Sequence, residues 1–192
     1  RTFRLAKSAS TPGDPTRGVL DVVDRLGVDL SKVERFVHGV TIGTNAILQG
    51  KGSEAWMLVT EGFRDVLEIA RTNRPVLYDI KTLKQRPIIP RTRSIEVTER
   101  LMYDGSVRKP LDKASLAAAV ARLKELPGPG ALAICFLHSY ASDAHEREAA
   151  EAVRAALPDW YVSLSSEVLP QFREYERFNT TALNTFIGPL MA

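Results

Sequence analysis

Short apolar runs alternate with amphipathic helical stripes along this chain, and that alternation leaves few folds open. The runs at 55–59 (AWMLV), 131–137 (ALAICFL) and 161–164 (YVSL) read as strands. Helices are signposted between and beside them. Asp14 can cap a first helix, Pro15 suits its first position, Gly27 suits the residue after its end, and Val19, Val22, Val23 and Leu26 form its stripe. A second passes through Ala46, Ile47 and Leu48. Asp112 caps a third that carries Leu116, Ala119, Val120 and Leu123 and breaks at Pro127-Gly128-Pro129-Gly130. Asp143 with Glu146 three residues on has the form of a capping box, opening a helix with Ala149, Ala150, Val153 and Leu157 on one face, and a last helix starts near Phe172. Two further strands are expected at 2–6 and 35–39, and residues 94–100, the Asp104-Gly105 turn and Val107 predict a hairpin. Strand and helix in this order predict an α/β fold: a layered, mostly parallel sheet with flanking helices. Ligands of such sheets gather beyond the carboxyl ends of the strands. That singles out residues 38–45, 60–65, 138–145 and 165–177.

At 192 residues, with 44% hydrophobic and 26% charged residues, the chain is long enough for a self-sufficient core, one domain or one with a small appendage. No apolar run approaches the roughly 20 residues needed to cross a bilayer. Cys135, the only cysteine, lies in an apolar run and reads as a buried thiol, which fits a cytoplasmic location. The net charge of +3 is exceeded locally: residues 71–108 carry nine Lys/Arg against four Asp/Glu. Only Tyr78 and Tyr103 interrupt Arg74, Lys81, Lys84, Arg86, Arg91 and Arg93, so the aromatic interleaving of a nucleic-acid groove is missing. Residues 73–93, with three prolines and no clean period, predict a long surface excursion.

The segment His38-Gly39-Val40-Thr41-Ile42-Gly43-Thr44-Asn45-Ala46 is the most informative. Its glycines let backbone approach a ligand, while Thr41, Thr44 and Asn45 place neutral donors at a helix N-terminus, suited to a carbonyl, carboxylate or phosphate oxygen. Helix capping by Thr44 or Asn45 explains the same residues. His145-Glu146 is not a zinc-protease motif, because Ala149 stands where the second histidine would be, and Glu146 reads as a first-turn capping residue. Gly-x-Ser-x-Gly, Gly-x-x-x-x-Gly-Lys-Ser/Thr and Gly-x-Gly-x-x-Gly are all absent. Ser165-Ser166-Glu167 and Arg173-Glu174-Tyr175-Glu176-Arg177 allow two readings, a solvated helix with local ion pairs or an arginine-lined site that positions a carboxylate or binds an anion.

Taken in order, these segments resemble the N-terminal region of the hydantoinase A / 5-oxoprolinase family. The matching pieces include Ser10-Thr11-Pro12-x-Asp14-Pro15, His38-Gly39-Val40-Thr41-x-x-Thr44-Asn45-Ala46, Val59-Thr60-x-Gly62-Phe63-Arg64-Asp65 and Arg74-Pro75-x-x-Tyr78-Asp79. Further on are Leu137-His138-Ser139-Tyr140 with His145-Glu146, and Ser165-Ser166-Glu167-Val168-Leu169-Pro170 running into Arg173-Glu174-Tyr175-Glu176-Arg177. The resemblance implies part of one half of an actin/sugar-kinase-like ATPase, from an enzyme that opens a hydantoin, N-methylhydantoin or 5-oxoproline ring through a phosphorylated amide. The alternatives it carries are a ketone carboxylase subunit, a metabolite kinase of the same broad fold and a non-catalytic assembly module in which residues 71–108 dock a partner. ATP and Mg2+ are implied for the full-length protein and none for residues 1–192 alone. The family's phosphate-binding hairpin would precede residue 1, and its second ATPase half would follow residue 192. A second enzyme subunit or fused domain, a homo-oligomer, no nucleic acid and no membrane are also implied. Carried onto this sequence, the substrate- or phosphate-binding candidates are His38, Gly39, Thr41, Gly43, Thr44 and Asn45, with Arg64, Asp65, Arg173, Glu174 and Arg177 in orienting or charge-neutralising roles. Relatives often read Gly-Thr-Thr where this chain has Gly39-Val40-Thr41.

Overall fold

The computed structural model describes residues 3–9, 11, 14–73, 76, 78–79 and 81–191. The chain divides into two compact units, Arg1–Val40 and Thr41–Ala192.

The first unit is built on α1 (Pro15–Leu26). The Asp14 carboxylate accepts from the Thr16 and Arg17 N–H groups at 3.1 and 3.4 Å, and the helix ends at Gly27, whose φ of 59° a residue without Cβ adopts freely. The strands expected at 2–6 and 35–39 are not formed by the described residues; Thr2 lies outside them. A strand needs a ladder partner, and no described residue of this unit supplies one. Arg4 instead donates to the Leu26 and Gly27 carbonyls, and Ser8 donates to the Asp21 carboxylate at 2.7 Å.

The second unit opens with α2 (Ile42–Gln49) and β1 (Ala55–Thr60), then α3 (Val66–Ile69). After the excursion come β2 (Ser94–Val97), β3 (Arg100–Leu101), β4 (Val107–Lys109) and α4 (Lys113–Lys124). Next are β5 (Ala131–Cys135), α5 (Ala144–Ala156), β6 (Tyr161–Leu164), α6 (Ser165–Val168) and α7 (Glu174–Met191). The sheet has the order β2-β1-β5-β6, with every pair parallel. Alternation along β5 sets its two cores. Leu132, Ile134 and Phe136 pack with Leu58, Leu116, Leu123, Ala149 and Val153 beneath α4 and α5, while Ala133, Cys135 and Leu137 pack with Met57, Val59, Leu67, Phe178 and Ala182 beneath α3 and α7. Each fully buried Leu, Ile or Phe contributes about 1.5–3 kcal/mol.

The predicted hairpin is present but smaller. Residues 94–97 join the parallel sheet, and only Arg100 and Leu101 pair antiparallel with β4. The break has a local cause: the Thr98 N–H donates to Ser115 Oγ, and the Thr98 carbonyl accepts from Asp112 N–H, tying this point to the start of α4. The described residues of the excursion form neither α-helix nor strand; it closes with a 3-10 turn at Arg91–Arg93, and its Ile89 is wholly buried. The part of it at Arg74, Pro75, Leu77 and Ile80 lies outside the described residues, as do Ser10, Pro12 and Gly13 of the earlier motif. Among the described residues, no helix is long and apolar enough to cross a membrane.

Candidate functional site

From β1 the chain turns to one side of the sheet for β2, then returns across β1 to β5 and β6. The reversal between β1 and β5 is where open α/β sheets form a crevice at their carboxyl ends. Here the residues leaving those ends are unusually polar and unusually buried. Thr60, the last residue of β1, donates its hydroxyl to Glu99 Oε1 and accepts from the Leu137 N–H at 3.0 Å. The other Glu99 oxygen meets His145 Nδ1 at 2.8 Å. Glu99 is 2% exposed, so this carboxylate is satisfied and closed to any ligand.

A second assembly lies between β5 and β6. The Glu146 carboxylate accepts from the Phe136 N–H at 2.9 Å, the Ser165 hydroxyl at 2.7 Å, the Ser166 N–H at 2.8 Å and the Ser166 hydroxyl at 2.7 Å. This corrects the capping-box reading. Asp143 makes no side-chain cap bond and pairs with Arg147, while Glu146 turns into the core, because a helix whose first turn abuts the ends of two strands meets their unpaired N–H groups. Burial pushes the Glu146 carboxyl up, against the opposing pull of its hydrogen bonds from Ser165, Ser166 and Phe136. Arg177 is fully buried on α7 and donates to Ser165 Oγ, the Gln171 and Phe136 carbonyls and Glu174 Oε1, all at 3.0–3.1 Å. The sequence left open a solvated helix with local ion pairs or an arginine-lined site that positions a carboxylate or binds an anion; Arg177 positions the Glu174 carboxylate, while Arg173 is exposed and Glu176 pairs with Arg71.

His138, Tyr140 and Glu174, beside this assembly, are partly exposed, as is Ser166. The Glu174 side chain is 24% exposed and that of His138 25%. Burial alone would raise the Glu174 carboxyl, but the charge and hydrogen bond of Arg177, with the His138 N–H, hold it below its ordinary value. His138 sits at φ 57°, a left-handed position that turns the chain sharply just past β5. His138 and Tyr140 occur in the segments the sequence flagged at strand ends, but not among its chosen residues; the signal was their place after β5.

His38 and Gly39 belong to the first unit and are exposed; Thr41, Gly43, Thr44 and Asn45 belong to the second, at the N-terminus of α2. Thr41 makes no cap bond to the backbone, and its hydroxyl oxygen accepts from Asn45 Nδ2 at 3.3 Å. Thr41, Thr44 and Asn45 are exposed. Asp65 is taken up by an ion pair with Arg91, and Arg93 pairs with Glu54 at 2.8 Å, so two basic residues of the excursion are neutralised within the fold. Arg64 is half-buried, and Arg173, at φ 82°, is exposed over the Phe172 ring. Glu174 and Arg177 are thus the two predicted residues that the fold brings together with the polar assembly. Among the described residues, no group of three or more His, Cys, Asp or Glu side chains could hold a metal ion.

Residues 1–157 match the family model described as hydantoinase/oxoprolinase N-terminal region. The chain belongs to this family. It is 34% identical to the caprolactamase subunit alpha of Pseudomonas jessenii over 98% of its own length and 28% of that protein's. The crystal structure of that ATP-dependent caprolactamase superposes with a TM-score of 0.82 at 34% identity, covering 99% of this chain and 29% of the other. The acetophenone carboxylase gamma subunit of Aromatoleum aromaticum is 27% identical over 95% of this chain and 28% of its own. The 5-oxoprolinase 1 of Arabidopsis thaliana is 28% identical over 85% and 14%. The chain therefore spans less than a third of each of these relatives, and the superposition supports the layered α/β fold read from the sequence.

Proposed function

We propose that this chain is the N-terminal region of an ATP-dependent hydrolase that opens a cyclic amide ring, of the hydantoin, N-methylhydantoin or 5-oxoproline class, in the cytoplasm and together with a second subunit or domain. The observation that carries this reading is the 34% identity, sustained over nearly the whole chain, to an ATP-dependent caprolactamase subunit. Within this reading the exposed N-terminus of α2 receives a phosphate oxygen. There the first-turn N–H groups lack helical partners, and the Thr41 hydroxyl, accepting from Asn45, keeps its proton to donate. Thr41, Thr44 and Asn45 would hold that oxygen. ATP supplies a phosphoryl group that makes the amide carbon electrophilic enough for water to attack, with Mg2+ offsetting phosphate charge. Arg177 keeps Glu174 ionised and fixed at the strand ends, an orienting role.

A second reading is favoured by the 27% identity to an acetophenone carboxylase subunit over 95% of the chain. The two separate in one experiment: ADP release by the full-length protein with its partner subunit, offered hydantoin, N-methylhydantoin, 5-oxoproline, caprolactam and acetophenone with and without bicarbonate. Turnover on a cyclic amide without bicarbonate is expected. Turnover only with ketone and bicarbonate would establish the carboxylase instead.

A further inference from the structure

The buried carboxylates Glu99 and Glu146 have both oxygens bonded inside the protein; Glu174 does not. Its Oε1 accepts from the His138 N–H at 3.3 Å and from Arg177 Nη2 at 3.1 Å, while Oε2 takes no hydrogen bond among the described residues. Beside it, His138 Nδ1 lies 3.9 Å from Glu174 Oε1 and 3.4 Å from the Tyr140 hydroxyl. With the Tyr140 hydroxyl assigned as the donor to Nδ1, the imidazole proton is on Nε2, which has no partner among the described residues. In that tautomer an acceptor and a donor stand on neighbouring, partly exposed side chains, and Arg177, which holds Glu174, is itself bonded to four acceptors.

We propose that Glu174 and His138 form the binding site for the edge of a cyclic amide, Glu174 Oε2 accepting the ring N–H and His138 Nε2 donating to the carbonyl oxygen. This rests on the hydrolase reading above and names the part of the substrate that is recognised. An amide closed into a small ring is forced cis, so its N–H and C=O lie side by side on one edge. An open-chain amide is trans and presents them on opposite sides, so one acceptor and one donor in adjacent positions select ring amides over linear ones. The ionised carboxylate also polarises the amide toward its oxygen, the atom the reaction phosphorylates. Tyr140 is a positioning residue, acting through the imidazole, and its ring lies against the Arg177 guanidinium.

The test uses the full-length protein with its partner subunit and no nucleotide, and measures binding by calorimetry. The probes are caprolactam and 5-oxoproline against their ring-oxygen analogues, ε-caprolactone and 5-oxotetrahydrofuran-2-carboxylate, which keep the carbonyl and lack the N–H. The wild type is expected to bind the lactam about tenfold or more tightly than the matching lactone, the value of one hydrogen bond to a charged acceptor. Glu174→Ala should bring the two within about twofold by weakening the lactam alone, and Glu174→Gln, whose amide oxygen still accepts, should fall between. Equal loss of both rings in Glu174→Ala, or a wild type that does not discriminate them while turning over cyclic amides, overturns the assignment and leaves the hydrolase reading standing. A wild type that turns over no cyclic amide removes both.

Discussion

Glu146 and Arg177, both wholly buried, form no ion pair with each other; the hydroxyl of Ser165 lies between them, donating to Glu146 Oε1 at 2.7 Å and accepting from Arg177 Nε at 3.1 Å. A serine has one proton and two lone pairs. Because the proton goes to Glu146, the Ser139 hydroxyl 2.9 Å away must donate to Ser165, and every capacity of Ser165 is filled. Direct contact of two buried charges is thereby replaced by a neutral bridge that joins β5, α5, α6 and α7.

Ser165→Ala should therefore cost far more than an ordinary serine truncation. It strips a donor from one buried charge and an acceptor from another, for an expected loss of about 3 kcal/mol in urea unfolding. Ser139→Ala, which removes one donor to a neutral hydroxyl, should cost about 1 kcal/mol. Equal effects of the two would refute the bridge.

The two arginine-linked carboxylates should leave opposite marks on the pH dependence of stability. Burial raises Glu146, so the folded chain holds that proton more tightly than the unfolded chain, and stability falls as pH climbs from the ordinary carboxylate value through the raised one. Glu174 is lowered, so its contribution is present above the ordinary value and is lost as pH falls through the depressed one. Urea midpoints measured across the acid and neutral range should show Glu146→Gln less stable but without the downward slope on the alkaline side. Glu174→Gln should blunt the loss on the acid side. Wild-type slopes retained in both variants would contradict these assignments.

Gly188, inside α7, has no room for a methyl group, because a Cβ there would run into the Tyr161 ring. In an exposed helix, Gly→Ala gains about 1 kcal/mol. Here Gly188→Ala should instead lose about 1–3 kcal/mol, and combining it with Tyr161→Leu should recover part of that, as thermal melts of the single and double variants will show.

At the start of α2 the expectation is reversed, with function affected and stability spared. Thr44 and Asn45 are exposed, so Thr44→Ala and Asn45→Ala should leave the unfolding midpoint within about 0.5 kcal/mol of wild type. Turnover by the full-length enzyme should drop roughly 100-fold if these groups hold an oxygen that gains charge in the reaction. Full retention of turnover by both variants would remove α2 from the site.

The sheet was legible because β1 and β5 are unbroken apolar runs between turn residues, and α4 because its cap and stripe agree: Asp112 accepts from Ala114 and Ser115, and Leu116, Ala119, Val120 and Leu123 are all buried. Legibility failed where a tertiary partner decides the outcome. Phe36 and Val37 have strand propensity, but no described neighbour pairs with them. Glu146 has the sequence of a capping residue, and only the arrival of Ser165 and Ser166 from another strand end reveals a buried carboxylate. The i, i+4 spacing of Arg177 left a solvated charge and a carboxylate-positioning arginine equally open. Its place on the same helical face as Phe178, Thr181, Ala182 and Thr185, all buried, was the available signal that it points inward.

The thiol of Cys135 is the chain's only one, wholly buried in the central pair of strands, and burial followed by the negative charge of Glu146 pushes it well above its ordinary pKa. A maleimide or iodoacetamide cannot reach it while the sheet is closed. The rate at which such a reagent labels the chain is then a clock for opening of the sheet, supplied by the sequence itself. Read for each variant in turn, without any engineered probe, that clock ranks how firmly the floor beneath Glu174 and His138 is held.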